Sequence, residues 1–290
     1  MKRLFLFALA FALMLETTAV GWAEQNITIK GSDTMVNLGQ AWAESFMADH
    51  PSTLIGVTGG GSGTGIAALI SNTTNIAQSS RKMTEKEFEQ ARAGGHDIKE
   101  IPVAIDALVV VVHPSNPVKE LTIGQLSDIF SGKITNWKEV GGADKAILVL
   151  SRERNSGTHV FFLEEVVRRG NPKGPEEFAT TALMMPSSQA IVQELSDNAA
   201  AIGYFGHGYL TSTMRPVAIA KKPGAPFISP SIEAALDGSY ALSRPLYFYI
   251  PKSQEENLKE FLTFVLSEKG QAIVSEMGFI PYKEISAAPS

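Results

Sequence analysis

The chain has no cysteine among its 290 residues. That absence excludes a disulfide scaffold, a zinc–thiolate centre, a cysteine nucleophile and a lipid-modified N-terminal cysteine. Charge is also sparse, at 19% of residues with a formal net charge of −5. A nucleic-acid binder normally carries a basic excess, so nucleic acid is not expected as a partner. Past the N-terminus there is no long apolar run. Residues 107–112 are apolar but close at His113-Pro114, far short of the roughly 20 residues that a membrane span needs. The histidines (His50, His96, His113, His159 and His207) show no metal-ligand spacing, so neither a metal nor a cofactor is expected.

What is present points to an exported globular protein. Apolar residues make up 44% of the chain, enough to bury sizeable cores. Met1-Lys2-Arg3 precedes an uncharged run over residues 4–15, and Gly21-Trp22-Ala23 follows. This order of basic head, short apolar core and small-residue cleavage site predicts a signal peptide over 1–23, cut after Ala23. The mature chain then has 267 residues and a net charge of −6. At about 150 residues per domain this suggests two domains. With no cysteine for a lipid anchor, the expected location is the free periplasm. ATP and NAD are scarce there, which disfavours nucleotide-dependent chemistry.

Strand-like apolar runs over 27–29, 54–57, 101–112, 147–150 and 246–250 alternate with helical patterns. Thr84 and Glu87 form a capping box for a helix that ends at Gly94-Gly95. Helical patterns also cover 122–130, with Leu126, Ile129 and Phe130 on one face, and 159–169, ending at Gly170. Leu258, Phe261, Leu262, Val265 and Leu266 form a helical stripe read as core. The alternation predicts an α/β protein with mostly parallel sheets. Residues 221–231 read as a surface loop and 286–290 as a frayed tail.

Three junctions stand out, each a strand leading through Gly, Ser and Thr into a helix. They are Gly31-Ser32-Asp33-Thr34, the loop Thr58-Gly59-Gly60-Gly61-Ser62-Gly63-Thr64-Gly65, and Ser151-Arg152-Glu153-Arg154-Asn155-Ser156-Gly157-Thr158. A helix start offers unpaired N–H donors and the positive end of a dipole, which suit an anion. Gly permits close backbone approach, and Ser and Thr add donors. Arg152 can grip an oxyanion through two parallel hydrogen bonds. Each feature also has an ordinary structural role: Ser, Thr and Gly cap helices, and arginines form ion pairs. Other motifs fail on spacing. The loop at 59–65 has no P-loop lysine, and Gly60-Gly61-Ser62-Gly63-Thr64 misses the last glycine of a hydrolase elbow.

Taken together, these residues resemble the phosphate-binding proteins of ABC transporters, within the type II periplasmic binding proteins. The resemblance rests on Gly31-Ser32-Asp33-Thr34-Met35, residues 59–65, Ser79-Ser80-Arg81, Arg152 with Ser156-Gly157-Thr158, Ala201-Ile202-Gly203-Tyr204, and the stretch from Ile129 to Trp137. It spans essentially the whole mature chain. It implies a two-lobed, Venus-flytrap α/β fold with mixed sheets flanked by helices. Lobe 1 would comprise 24–108 and 241–290, and lobe 2 would comprise 109–240. The long strand 101–112 would be the outgoing crossover and 246–250 the return. The resemblance places the anion on Thr34, the N–H of Met35, Ser62, Arg152, Ser156, Gly157 and Thr158.

To this set the residues themselves add Ser32, Ser80 and Arg81. Ser80 stands where relatives commonly have a carboxylate that accepts the proton of hydrogen phosphate. Asp33, Asp106 and Glu153 are candidate replacement acceptors. The implied function is capture of inorganic phosphate by a monomer that serves membrane permease subunits, with no enzymatic activity. Alternatives are another oxyanion (sulfate or molybdate), a sensing role, and an exported phosphoester hydrolase using Ser62 or Ser156. The last needs a base or metal cluster that the sequence does not offer.

Overall fold

A computed structural model describes residues 25–282. The signal peptide expected over 1–23 and the tail at 286–290 lie outside the described residues. The strands are β1 (Gln25–Gly31), β2 (Thr53–Thr58), β3 (Ile76–Ser79), β4 (Ile98–Val112), β5 (Glu120–Thr122), β6 (Leu148–Arg152), β7 (Leu183–Met185), β8 (Ala201–Gly206), β9 (Arg215–Pro216), β10 (Ala218–Ala220), β11 (Ser243–Pro251) and β12 (Ile280–Pro281). The α-helices are α1 (Val36–Asp49), α2 (Ser62–Ile70), α3 (Glu85–Ala93), α4 (Ile123–Phe130), α5 (Gly157–Phe162), α6 (Ser188–Asp197), α7 (Ile232–Leu236), α8 (Glu255–Leu266) and α9 (Glu268–Glu276). The main path of strands runs β2-β1-β3-β11-β4-β8-β6-β7.

β4 makes the fold two-lobed. Its first half pairs with β11, from Ile98 opposite Pro251 to Ala107 opposite Ser243, and its second half pairs with β8, from Leu108 to Val112. One strand thus closes one lobe's sheet and opens the next. The apolar run at 107–112 follows from this. Leu108, Val110 and Val112 enter one core while Val109 and Val111 enter another on the opposite face. A strand covered on both sides has no polar face to alternate. In the first lobe, Leu246, Phe248 and Ile250 of β11 face one core and Tyr247 and Tyr249 the other.

The sheets are mixed, as the resemblance implies, rather than mostly parallel as the strand–helix alternation alone suggests. Parallel pairs join β1 to β2 and β3, β6 to β7 and β8, and β5 to β10. Every antiparallel pair involves β4 or β11. These two strands carry the chain out to the second lobe and back, so their directions oppose, which local hydrophobic pattern cannot encode.

Two of the helices start on reciprocal caps. Thr84 with Glu87, and Thr122 with Gln125, form reciprocal capping boxes. Leu258, Phe261, Leu262 and Val265 of α8 are buried, whereas Leu266 is exposed. Leu266 is the last residue of the helix and lies at the margin of the stripe. The helix expected over 159–169 instead begins at Gly157 and widens into a π-turn at Leu163–Val167. It ends through left-handed Arg169 and Gly170. Among the described residues no helix is long and apolar enough to cross a membrane.

Candidate functional site

The three Gly/Ser/Thr junctions meet at the seam between the lobes. At the first, Gly31 adopts φ 141°, and a Cβ there would sit 2.2 Å from the Gln78 carbonyl oxygen. Only glycine lets β1 pass so close to β3. Ser32 then donates its N–H to Gln78 O at 2.7 Å, and a short 3-10 turn, Asp33–Met35, leads into α1. The Met35 N–H is held by Ser32 O at 3.1 Å. At the second, Gly60 and Gly61 have φ of 108° and 93°. They bring the Gly61 N–H to Gly31 O at 2.9 Å and set Ser62 at the start of α2. At the third, Ser156 is the N-cap of α5, accepting from the N–H groups of Thr158 and His159.

Five hydroxyls converge from these junctions and from the end of β3. Ser32 Oγ donates to Ser80 Oγ at 2.9 Å, and Ser62 Oγ lies 3.3 Å from Ser80 Oγ. Thr34 Oγ1 and Thr158 Oγ1 are 2.7 Å apart, and Thr158 Oγ1 is 3.5 Å from Ser80 Oγ. All five residues are buried to 1% exposure or less. Gly157 fills the gap between them, since a Cβ there would meet Ser62 Oγ at 2.4 Å and Ser80 Oγ at 2.8 Å. The backbone joins in, with the Gly63 N–H donating to Asn155 O at 2.9 Å.

The three cations nearest this cluster play different parts. Arg152 is 1% exposed. Its Nη1 pairs with Asp33 at 3.2 Å and donates to Ser188 Oγ, while Nε and Nη2 donate to the carbonyls of Met185 and Pro186. Asp33 also accepts the Ser188 N–H at 2.7 Å. Arg81 donates to both carboxylate oxygens of Glu87, at 2.8 and 2.7 Å, and its Cγ lies beside Gly157. Arg244, outside the set expected from the sequence, reaches the cluster itself. It donates to Thr158 Oγ1 at 2.9 Å and to Ser80 O at 3.1 Å, and it pairs with Asp106. Burial pushes its pKa down while the Asp106 charge and hydrogen bonds hold it up. The available signal was a charged residue at the head of an otherwise apolar strand.

Of the candidate proton acceptors, Asp106 is fully buried, Asp33 is engaged by Arg152, and Glu153 is exposed. The imidazole of His159 faces Ser151 Oγ at 3.3 Å rather than Ser62 or Ser156. Burial lowers its pKa from 6.5 to about 4. No cluster of three or more potential metal ligands occurs among the described residues. Two surface grooves of about 1050 and 1070 Å³ flank α8 and are lined by none of the cluster.

Hydroxyls from both lobes thus gather beside three arginines, each paired with its own carboxylate. The profile of the PBP superfamily domain matches residues 17–269. "Phosphate-binding protein PstS" of Pseudomonas aeruginosa strain PAO1 is 37% identical over 275 residues, covering 88% of this chain and 83% of that protein. The chain belongs to the PstS family of the PBP superfamily. Its Bacillus subtilis relative of the same name is 31% identical, covering 91% of this chain and 83% of that one. Among solved PstS-like structures, a phosphate ABC transporter substrate-binding protein of Clostridium perfringens with bound phosphate superposes with a TM-score of 0.80. It is 33% identical and covers 89% of this chain and 100% of its own. An ABC-type phosphate transport receptor of Vibrio cholerae superposes at 0.70 with 31% identity, covering 89% of this chain and all of its own.

Proposed function

We propose that this chain captures inorganic phosphate in the periplasm and delivers it to the permease subunits of an ABC transporter. The observation that carries the proposal is the meeting of Ser32, Thr34, Ser62, Ser80 and Thr158, from both lobes, in one buried cluster. Neither lobe alone surrounds the oxygens of a tetrahedral anion, so binding favours the closed form. The proposed contacts are Ser32, Thr34, Ser62, Ser80, Ser156, Gly157 and Thr158, together with the Met35 N–H, which would exchange its bond to Ser32 O for the anion, with Arg81 and Arg152 as flanking cations. Lobe 1 comprises 24–108 and 241–290, lobe 2 comprises 109–240, and β4 and β11 form the hinge. The protein acts as a monomer without catalytic activity, exported by removal of residues 1–23.

Titration calorimetry of the mature chain with phosphate, sulfate, molybdate and arsenate tests the proposal. Phosphate is expected to bind most tightly. No heat with phosphate, together with no phosphate released on unfolding, sinks it. A preference for sulfate would instead support the other-oxyanion reading, motivated by Ser80 standing where a carboxylate would repel a fully ionised anion.

A further inference from the structure

Arg244 lies at the head of β11, the strand that returns to the first lobe, and is 3% exposed. Asp106, on the outgoing strand β4, accepts from its Nε at 3.1 Å and its Nη2 at 2.8 Å, both on Oδ2. The other carboxylate oxygen, Oδ1, accepts the His207 N–H at 3.0 Å. Asp106 is therefore anchored and grips Arg244 from one side only. A guanidinium has two edges suited to two-point recognition of an oxyanion. The Nε/Nη2 edge is taken by Asp106. The Nη1/Nη2 edge faces Ser80 O at 3.1 Å and Thr158 Oγ1 at 2.9 Å, among the clustered hydroxyls. Phe161 covers the guanidinium face, its ring centre 5.2 Å away, and holds the plane.

Arg152 contrasts with this. None of its donors reaches the clustered hydroxyls; they end on Asp33, Ser188 and the carbonyls of Met185 and Pro186. Arg81 is committed to Glu87. Arg244 is thus the cation that donates to a clustered hydroxyl, Thr158 Oγ1, while its Nη1 donates to the backbone carbonyl of Ser80 beside it.

We infer that Arg244 grips the bound oxyanion through its Nη1/Nη2 edge, with Asp106 as the positioning residue that holds the guanidinium and balances its charge. The inference rests on the oxyanion reading of the site. The Thr158 hydroxyl, now accepting from Arg244, would turn its own proton to the anion alongside the guanidinium. A buried pair of opposite charges leaves little net field, so recognition rests on directed donors more than on total charge.

The test is phosphate titration of the mature chain and of Arg244→Lys, Asp106→Asn, Arg244→Gln and the double variant Arg244→Gln/Asp106→Asn, each checked for a cooperative melt. Arg244→Gln strands a buried carboxylate; the double variant removes both charges, and Arg244→Lys keeps the pair. The double variant is expected to bind phosphate at least tenfold more weakly. Arg244→Lys is expected to show an intermediate loss, because an ammonium keeps the charge but not the two-point edge. Wild-type affinity in either variant overturns the inference. Asp106→Asn is expected to weaken binding severalfold when Arg244 is present and to add nothing when it is Gln. Equal losses in both backgrounds would make Asp106 purely structural. If the unmodified chain binds no phosphate, the phosphate reading itself fails, an outcome distinct from unchanged affinity in the variants.

Discussion

Adding one methyl group at Gly157 separates the closed form from the rest of the fold. An alanine Cβ there would lie 2.4 Å from Ser62 Oγ, 2.8 Å from Ser80 Oγ and 3.1 Å from Arg81 Cγ. All three neighbours belong to the first lobe, and Gly157 begins α5 in the second. The backbone at Gly157 is not left-handed, so alanine strains nothing locally. The clash therefore exists only while the lobes are together. Overpacking of this kind costs about 1–3 kcal/mol. Charged wholly to closure, that raises the Kd for phosphate about 5- to 150-fold, at about 1.4 kcal/mol per tenfold. Calorimetry would read the affinity, and melting with and without phosphate would read where the cost falls. The expected result is an unchanged Tm without ligand and a smaller rise in Tm with phosphate, since ligand stabilisation follows occupancy. An unchanged Kd accompanied by a lower ligand-free Tm would refute the reasoning. It would mean that the seam is packed in the same way whether or not the site is filled.

Other outcomes follow from the same geometry. Arg152→Ala is expected to weaken phosphate binding at least tenfold; retained affinity, read by calorimetry, would make its pair with Asp33 purely structural. Asn155 is exposed, yet its side chain bridges the seam to Gly60 O at 2.9 Å and Thr64 Oγ1 at 3.1 Å. Asn155→Ala should lower affinity by a few fold, matching about 0.5–1.5 kcal/mol for lost hydrogen bonds, without changing the ligand-free Tm; a fall in Tm at constant affinity would argue the reverse. His159 is held neutral in the folded chain, its pKa lowered by burial from 6.5 to about 4. Because the unfolded state takes up the proton first, stability is full above about pH 6.5 and is lost as pH falls toward 4. The loss is on the order of 3 kcal/mol. Urea unfolding across that window should show it, and His159→Gln should flatten the slope; an identical slope in the variant would locate the titrating group elsewhere.

The parts of this protein governed by neighbours in the chain were legible from its residues. The capping box at Thr84 and the glycine-rich turn before Ser62 follow from contacts within a few residues. The hydroxyls of Ser32, Thr34, Ser62 and Thr158 could be picked out because each sits at a strand–helix junction. The cations could not be sorted in this way, because an arginine at the end of a strand reads alike whatever it pairs with. Arg152 meets Asp33 across 119 positions, and Arg244 meets Asp106 across 138. Those pairings were decided only when β4 and β11 crossed between the lobes. The same crossing reversed strand direction and made the sheets mixed, as the resemblance implies, where strand–helix alternation alone reads them as mostly parallel. Local sequence determined where donors for an anion arise; long-range packing decided which donors are spent on the protein itself and which still face the seam.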